Sequence, residues 1–598
     1  MFLSEEKPRT DAQQKTDNPD WFRPVFPDKP LHNIALTFSG GGFRAASFSL
    51  GVLSLFDAVK TTEGSLLKRV TYIASASGGT ITNACYALHC TNTKYDFAAL
   101  YKQMRGFLNG TGLLQQAMEL LNDDKQWKDQ SKHRNLINAF ARVYNKVIYN
   151  DATMGSLAPG SNSSSHIEEV CFNATEFYAG LPFRQQVKMQ TDLLPDEFFF
   201  YGNFKVHEIG SWQLKFKLAD VLAASSCFPG GFEPIIFPHD FVSQAELRDA
   251  KAALEMKPIT NSDKEKAFRE KKELGLMDGG ITDNIALESV MLADQRRINK
   301  ETSFERFGLI FPCDVGSGNI EFYDLARPDK HSWWSNLTLR TIRLALIVVS
   351  VLGLIGTVAC LVCKCAVATV VLGMLTSVAG LAFGLLQFVL TQINTEGSKS
   401  NLNIPFPPTI VNTLKDYLLR SPFYVLSNLL KSRFDSMVIL NTDEFLRRIR
   451  QIQYNTMYEA PRWKNRRKTN HIYDLSKGNE AERAKDEKAF PYLKPSAAIV
   501  SSADNAFAMG TTLWFTKEDD KAKRPKDLIA CGQFTACRNL LLYIERLQQD
   551  PAFAMLEPSA KADVVDIKRQ LKALWQQFQD DPRFMVNSAE LLATPTKF

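Results

Sequence analysis

Over most of the chain, apolar and polar residues alternate in short runs, but one window breaks the pattern. Residues 344–363 (LALIVVSVLGLIGTVACLVC) and 365–390 (CAVATVVLGMLTSVAGLAFGLLQFVL) are free of charge, and only Lys364 stands between them. At ~1.5 Å rise per helical residue, each half is long enough for a hydrocarbon core of ~30 Å, which predicts a transmembrane helical hairpin over 336–395. Arg340 and Arg343 precede the first span, and Lys399 and Lys415 follow the second. The positive-inside rule then expects a two-pass integral membrane protein with the rest of the chain on the cytoplasmic face. Gly373, Ser377, Gly380 and Gly384 share one face of the second span, and Ser350, Gly353, Thr357 and Cys360 share a face of the first. Such small residues favour close helix packing and offer a route to homo-oligomers. The alternatives are a pair of buried core helices in a soluble protein, or a re-entrant loop turning at Lys364.

Elsewhere the periodicity changes from strand to helix twice in quick succession. Residues 33–38 (NIALTF) form a short apolar run that ends at Ser39-Gly40-Gly41-Gly42, after which Ala45, Phe48, Val52, Leu55 and Phe56 recur at helical spacing. A second run, 70–74, ends at Ser75-Ala76-Ser77-Gly78-Gly79 and passes into a helix-like stretch over 81–88. This βαβα order predicts an α/β fold, a three-layer α/β/α domain with a mainly parallel central sheet and its site at the C-terminal ends of the strands. Residues 95–155 read as a charged helical cap, and 170–173 and 309–311 as further strands. Beyond the hairpin come apolar runs at 424–430 and 436–440, a helical EFLRRIRQI, a basic stretch over 462–468 and amphipathic helix to the end. The expected organisation is an N-terminal arm over 1–30, a catalytic domain over 31–335 that resumes over 396–540 after the hairpin, and a helical segment over 541–598.

Composition narrows the class. At about 150 residues per domain, 598 residues allow several domains. With 45% hydrophobic and 23% charged residues, the chain is globular and not a disordered or disulfide-stapled one. Net charge of +6 is too small to indicate a nucleic-acid partner. Ten cysteines in this length form no disulfide framework, and Cys360, Cys363 and Cys365 lack the further Cys or His pair of a closed zinc site, so no metal is expected. The N-terminus has no apolar h-region, so no cleaved secretory peptide is expected.

The glycine turns carry the chemistry. Gly40-x-Gly42-x-x-Ala45 fits the weak form of a dinucleotide fingerprint, but the next strand ends in TYIASASGG without the acidic residue a ribose needs, so no cofactor is expected. The same glycines leave bare N–H groups at a helix N-terminus, which suits an oxyanion hole made by Gly40, Gly41 and Gly42. Arg44 follows at once, placed either to hold the loop or to meet a substrate phosphate. In the second turn Ser77 occupies the place of the serine in a nucleophile elbow, with serine where the G-x-S-x-G form has its first glycine; Ser75 competes for the role. Met277-Asp278-Gly279-Gly280 supplies a carboxylate in a third turn, and Asp278 can accept the Ser77 proton. Asp283 is a nearby second carboxylate, and His331 and His471 are the histidines that follow, neither in a turn that suggests a triad.

Together, SGGGFRA, SASGG about 35 residues later and DGG some 200 residues after that resemble the patatin-like phospholipase family and its cytosolic phospholipase A2 relatives. FNATEFYAG, AASSCFPGGFEP and a Gly-Ser-Gly at 316–318 add to the likeness, which covers roughly 31–325. The resemblance implies a Ser–Asp dyad of Ser77 and Asp278, oxyanion donors at Gly40, Gly41 and Gly42, a basic residue at Arg44, and no metal for the ester cleavage itself. It further implies hydrolysis of fatty acyl esters of membrane lipids through an acyl-enzyme, with membrane phospholipid as substrate and the bilayer as partner. A lipid acyltransferase using the same dyad and an inactive membrane scaffold are the alternatives. The basic stretch Arg462, Lys464, Arg466, Arg467 and Lys468 beside Trp463 is expected either to touch anionic headgroups or to be a solvated loop.

Overall fold

The computed structural model describes residues 23–92, 96–109, 112–128, 132–159, 165–191, 200–201, 204–206, 213–256, 258–316, 333–392, 419–440 and 444–593. The N-terminal arm up to residue 22 and His331 lie outside the described residues. Contacts divide the chain into Met1–Ile320 with Leu446–Phe598, and Glu321–Phe445.

In the first unit the elements follow as β1 (Ile34–Phe38), α1 (Gly42–Ala58), β2 (Val70–Ala76) and α2 (Gly78–Cys90). The helices α3 (Phe97–Leu108), α4 (Leu113–Asn122) and α5 (Leu136–Tyr144) come next. They are followed by β3 (Glu169–Glu176), β4 (Leu181–Lys188), α6 (Leu218–Ser225), β5 (Ile235–Phe237), β6 (Leu274–Asp278), α7 (Leu287–Ile298) and β7 (Leu309–Asp314). An eight-stranded sheet runs β8-β7-β1-β2-β3-β6-β5, where β8 is Asn470–His471, and β4 also pairs with β3. The pairs from β8 to β3 are parallel, and β6, β5 and β4 join antiparallel. The sheet is therefore mixed with its larger part parallel.

Both faces of this sheet are covered, as a parallel sheet requires. On β1, Ile34, Leu36 and Phe38 point into the core shared with α1 and α2, while Ala35 joins the opposite core with Tyr72, Ala74, Val290 and Trp463. A long helix after the insertion, Arg524–Gln549, crosses α1 so closely that a Cβ on Gly532 would stand 2.1 Å from the Phe48 carbonyl oxygen. It runs unbroken through residue 540, where the sequence suggests a boundary.

The basic stretch over 462–468 is an internal brace and not a membrane-facing patch. Arg466 is fully buried and grips Asp294 through both terminal nitrogens at 3.1 and 2.9 Å. Trp463 donates its indole N–H to the same carboxylate at 2.8 Å, and the Arg462 guanidinium stacks over the Trp463 ring. Arg467 donates to the Tyr458 carbonyl, which leaves Lys464 as the exposed cation of the five. The alternation of Arg and Lys with an aromatic residue looks like a surface pattern until the distant Asp294 is seen beneath it.

In the second unit, α8 (Leu339–Val362) and α9 (Ala366–Gln392) pack side by side, joined by a turn in which Lys364 has φ 56°. Both are long and apolar enough to cross a membrane. Their side chains are not in a protein core: Leu344 is 63% exposed and Val367 80%. At the helix contact, a Cβ on Gly353 would meet Thr376, and Gly373 faces Thr357, as the small-residue faces predict. Gly380 and Gly384 do not take part, since nothing lies within 4 Å of either position. The apolar runs 424–430 and 436–440 belong to one helix, α10 (Phe423–Ile439).

Removing one partner of the buried Arg466–Asp294 pair leaves an uncompensated charge in the core. Arg466→Met is therefore expected to destabilise the first unit by about 3–5 kcal/mol, seen as a lower denaturation midpoint. An unchanged midpoint would contradict the brace.

Candidate active site

The sheet register itself brings the second and third turns together. β2 runs parallel to β3, with Ala76 opposite Asn173, and β6 runs antiparallel to it, with Asp278 opposite Ala174. β4 takes the other edge of β3 along its whole length. Thus β2 and β6 share one edge of β3 and run toward each other, so that their C-terminal ends meet. Ser77 and Asp278 are the residues at that junction.

Main-chain hydrogen bonds lock the junction. The Ser225 carbonyl at the end of α6 accepts the N–H of Ser77 at 3.0 Å and that of Gly279 at 3.2 Å. The Ser225 hydroxyl accepts the Ser77 N–H at 2.9 Å and donates to the Asn173 carbonyl at 2.6 Å. Asp278 is held in turn by its own N–H on the Cys227 carbonyl and by its carbonyl accepting from the Thr175 hydroxyl. Ser225 falls inside AASSCFPGGFEP, a segment whose sequence gives no sign that one serine joins two turns.

Ser77 sits at φ 49° and ψ −125°, a conformation that costs of order 1–3 kcal/mol for a residue with a side chain and lifts that side chain out of the turn. The next residue must be glycine, because a Cβ on Gly78 would lie 2.0 Å from the Gly42 carbonyl oxygen and 2.6 Å from its nitrogen. The two glycine turns are therefore in backbone contact. Ser75, the competing serine, is fully buried and bonds to Thr80 and Asn83. Asp283 is buried too, accepting from the Ser289 N–H and hydroxyl and from Asn173. His471 pairs with Asp474.

The Asp278 carboxyl is pushed up to about 6. Burial is the main cause, opposed by the Gly280 N–H at 2.6 Å and by hydrogen bonding from the Ser77 side chain, both of which favour the ionised form. No cation contributes to this balance.

The first glycine turn is more constrained than its sequence implies. Gly40 donates its N–H to the Asn284 carbonyl at 2.9 Å, so that amide is committed inside the fold. Phe43 donates to the Thr512 carbonyl at 2.8 Å. Of the predicted three, Gly41 and Gly42, at the N-terminus of α1, are the two whose N–H groups meet no partner among the described residues. Gly42 has φ 57°, and a Cβ there would collide with the Thr512 carbonyl at 2.1 Å. Arg44 is buried and donates to the Met509 carbonyl at 2.8 Å; burial brings it down to about 10, against the pull of Asp314. The loop-holding role is the one its contacts serve. Met509, Thr512 and Asn284 were invisible as partners because each lies far from the turn it supports.

A raised carboxyl is also a statement about stability. The ordinary value for this group is 3.8 and the folded value about 6, so at pH 8 the folded state carries an ionised group it disfavours by about 3 kcal/mol. Below about pH 3 the group is protonated in both states and the penalty is gone; it grows as pH rises to about 6 and then stays constant. Asp278→Asn is thus expected to raise the melting temperature at pH 8 and to leave it nearly unchanged at pH 3. A loss of stability at both values would contradict the assignment.

Residues 36–291 match the family model of the patatin-like phospholipases. No curated protein matches the chain. Among solved structures, that of VipD from Legionella pneumophila aligns over 94% of this chain and 96% of its own at 11% identity, with a TM-score of 0.22. Residues 36–291, which contain all three turns, are a patatin-like phospholipase domain, and the activity this family implies for the chain is that of a lipid acyl hydrolase.

Proposed function

We propose that the chain is a membrane-anchored serine acyl hydrolase of the phospholipase A or lysophospholipase type, acting on membrane lipids from the cytoplasmic face through a dyad of Ser77 and Asp278. The observation that carries this reading is the end-to-end meeting of β2 and β6, which sets a strained serine beside a buried carboxylate with a raised pKa. Ser77 Oγ attacks the ester carbonyl while Asp278 takes its proton, and the N–H groups of Gly41 and Gly42 receive the negative oxygen. Collapse breaks the bond to the lipid alcohol, which leaves with the proton from Asp278. Water, deprotonated by the same carboxylate, then releases the fatty acid from Ser77 and restores the hydroxyl. The raised pKa makes Asp278 a stronger base than a solvated carboxylate while leaving it ionised at neutral pH.

With phospholipid vesicles containing the full chain, Ser77→Ala and Asp278→Asn are each expected to lower fatty-acid release by at least a thousandfold. A fluorophosphonate probe is expected to label Ser77. The wild-type kcat/KM should rise with pH about a midpoint near 6, as Asp278 ionises. Retained activity in either variant, or labelling at Ser75, would overturn the dyad.

The anchor rests on α8 and α9, whose apolar side chains are exposed along their length. Lipid is the medium that covers such a surface without a dedicated partner, and holding the site at the bilayer raises its effective substrate concentration. Full-length protein is expected to stay with membranes during alkaline carbonate washing and to be released once 339–392 are deleted. Release of the intact chain would refute the anchor.

A further inference from the structure

Away from Ser77, two histidines from distant parts of the chain close on one carboxylate. His133 precedes α5, and His239 and Asp240 follow β5. Nδ1 of His133 is 2.9 Å and Nδ1 of His239 is 3.1 Å from the same atom, Asp240 Oδ1. One possible ligand atom from each of the three residues lies within 4.8 Å of the others, and the two rings are 4.1 Å apart between centroids. Oδ1 also accepts the His133 backbone N–H at 2.9 Å, whereas Oδ2 receives the Ile236 N–H at 2.8 Å. Three nitrogens therefore converge on the one oxygen, Oδ1. Two of the three are imidazole Nδ1 atoms brought together from distant parts of the chain, an arrangement that suits a shared cation as well as hydrogen bonding.

We infer that His133, His239 and Asp240 form a binding site for a divalent transition-metal cation of the zinc type. Two imidazole nitrogens and one carboxylate oxygen suit zinc, nickel or copper better than magnesium or calcium, which prefer all-oxygen sets. Ligands at the usual zinc distances lie about 3.3 Å apart in a tetrahedron, close to the two separations seen here. Each ring would hold its proton on Nε2 and give its Nδ1 lone pair to the cation; a ring that starts with the proton on Nδ1 loses it to solvent there and takes one up at Nε2, one N–H bond breaking as another forms. Asp240 is fully buried and oriented by two backbone N–H groups, the outer support that metal ligands commonly have. The His133 side chain is 47% exposed, which gives water access to a fourth position.

Lys132, the nearby cation, is neutralised by Asp220 at 2.7 Å and touches the Asp240 backbone carbonyl, not its carboxylate. Asp220 lies in α6, the helix that ends in Ser225. A cation joining His133 to the turn after β5 would brace this helix from its far end, a structural role separate from ester cleavage. The inference does not rest on the hydrolase reading.

The test uses the detergent-solubilised full chain, dialysed against a chelator and then titrated with zinc chloride or cobalt chloride. Zinc is expected to raise the melting temperature by a few degrees, and cobalt to give the strong visible absorption of a four-coordinate site. Both responses should weaken at least tenfold in apparent affinity in His133→Gln and in His239→Gln. The half-exposed His133 carries the comparison if His239→Gln fails to fold, and circular dichroism checks each variant. Absence of a thermal shift with only pale six-coordinate cobalt absorption would overturn the site, as would full responses in His133→Gln.

Discussion

One edge of one strand holds the site together. β3 offers the same edge to β2 up to Asn173 and to β6 from Ala174, so two strands of opposite direction end against each other. Neither Ser77 nor Asp278 could be placed this way by its own turn alone. The Ser225 carbonyl makes the arrangement rigid, because it accepts an N–H from the residue at one strand end and from the residue just past the other. A strained serine and a buried carboxyl each oppose folding by a few kcal/mol, and a small local motif could not hold both. Here they are held by a sheet covered on both faces, with α6 laid across the junction.

Charge is arranged by separation. A guanidinium beside Asp278 would stabilise the carboxylate and weaken it as a base. Arg44 lies only two residues beyond the glycine turn, yet it is drawn to the Met509 carbonyl and toward Asp314. The carboxylate beside Ser77 is left with neutral donors, the Gly280 N–H and the serine itself, and burial sets its proton affinity. The same turn can thus have a permanent cation for its packing and an uncompensated carboxylate nearby for its chemistry, because a second aspartate, at the end of β7, attracts the cation.

The residues proposed to carry the chemistry were legible as turn residues because each sits in a turn whose steric needs are written locally. Runs at 33–38 and 70–74 gave strands close to Ile34–Phe38 and Val70–Ala76, and small residues after each marked the turns. The supports were not legible. Asn284, Ser225, Thr512 and Met509 act through backbone groups, and a carbonyl carries no side-chain signature. For the same reason the loss of the Gly40 amide to Asn284 could not be read from three identical glycines in a row. The stretch over 462–468 misled in the opposite way: Arg466 looks solvated until Asp294, 172 residues away, is brought beneath it. The small residues of the second apolar helix were read as one face, but Gly380 and Gly384 of that set have nothing within 4 Å of where a Cβ would stand.

Interruption of the first unit between Ile320 and Leu446 falls at a meaningful place. β7 is parallel to β1, and β1 to β2, so all three point their C-terminal ends to the edge where Ser77 lies. At the end of β7, the Val315 N–H donates to the Ser39 hydroxyl and Ser39 donates its own N–H to the Cys313 carbonyl, tying this strand to the first glycine turn. Where the chain resumes, in the helix Phe445–Glu459, Tyr454 donates to Asp314 at 3.2 Å and Arg450 lies 3.9 Å from it. Both sides of the interruption are thus pinned at Asp314, beside the first glycine turn. Within this unit, β7, the first glycine turn and the helix Phe445–Glu459 therefore converge on Asp314, the same carboxylate that draws the Arg44 cation.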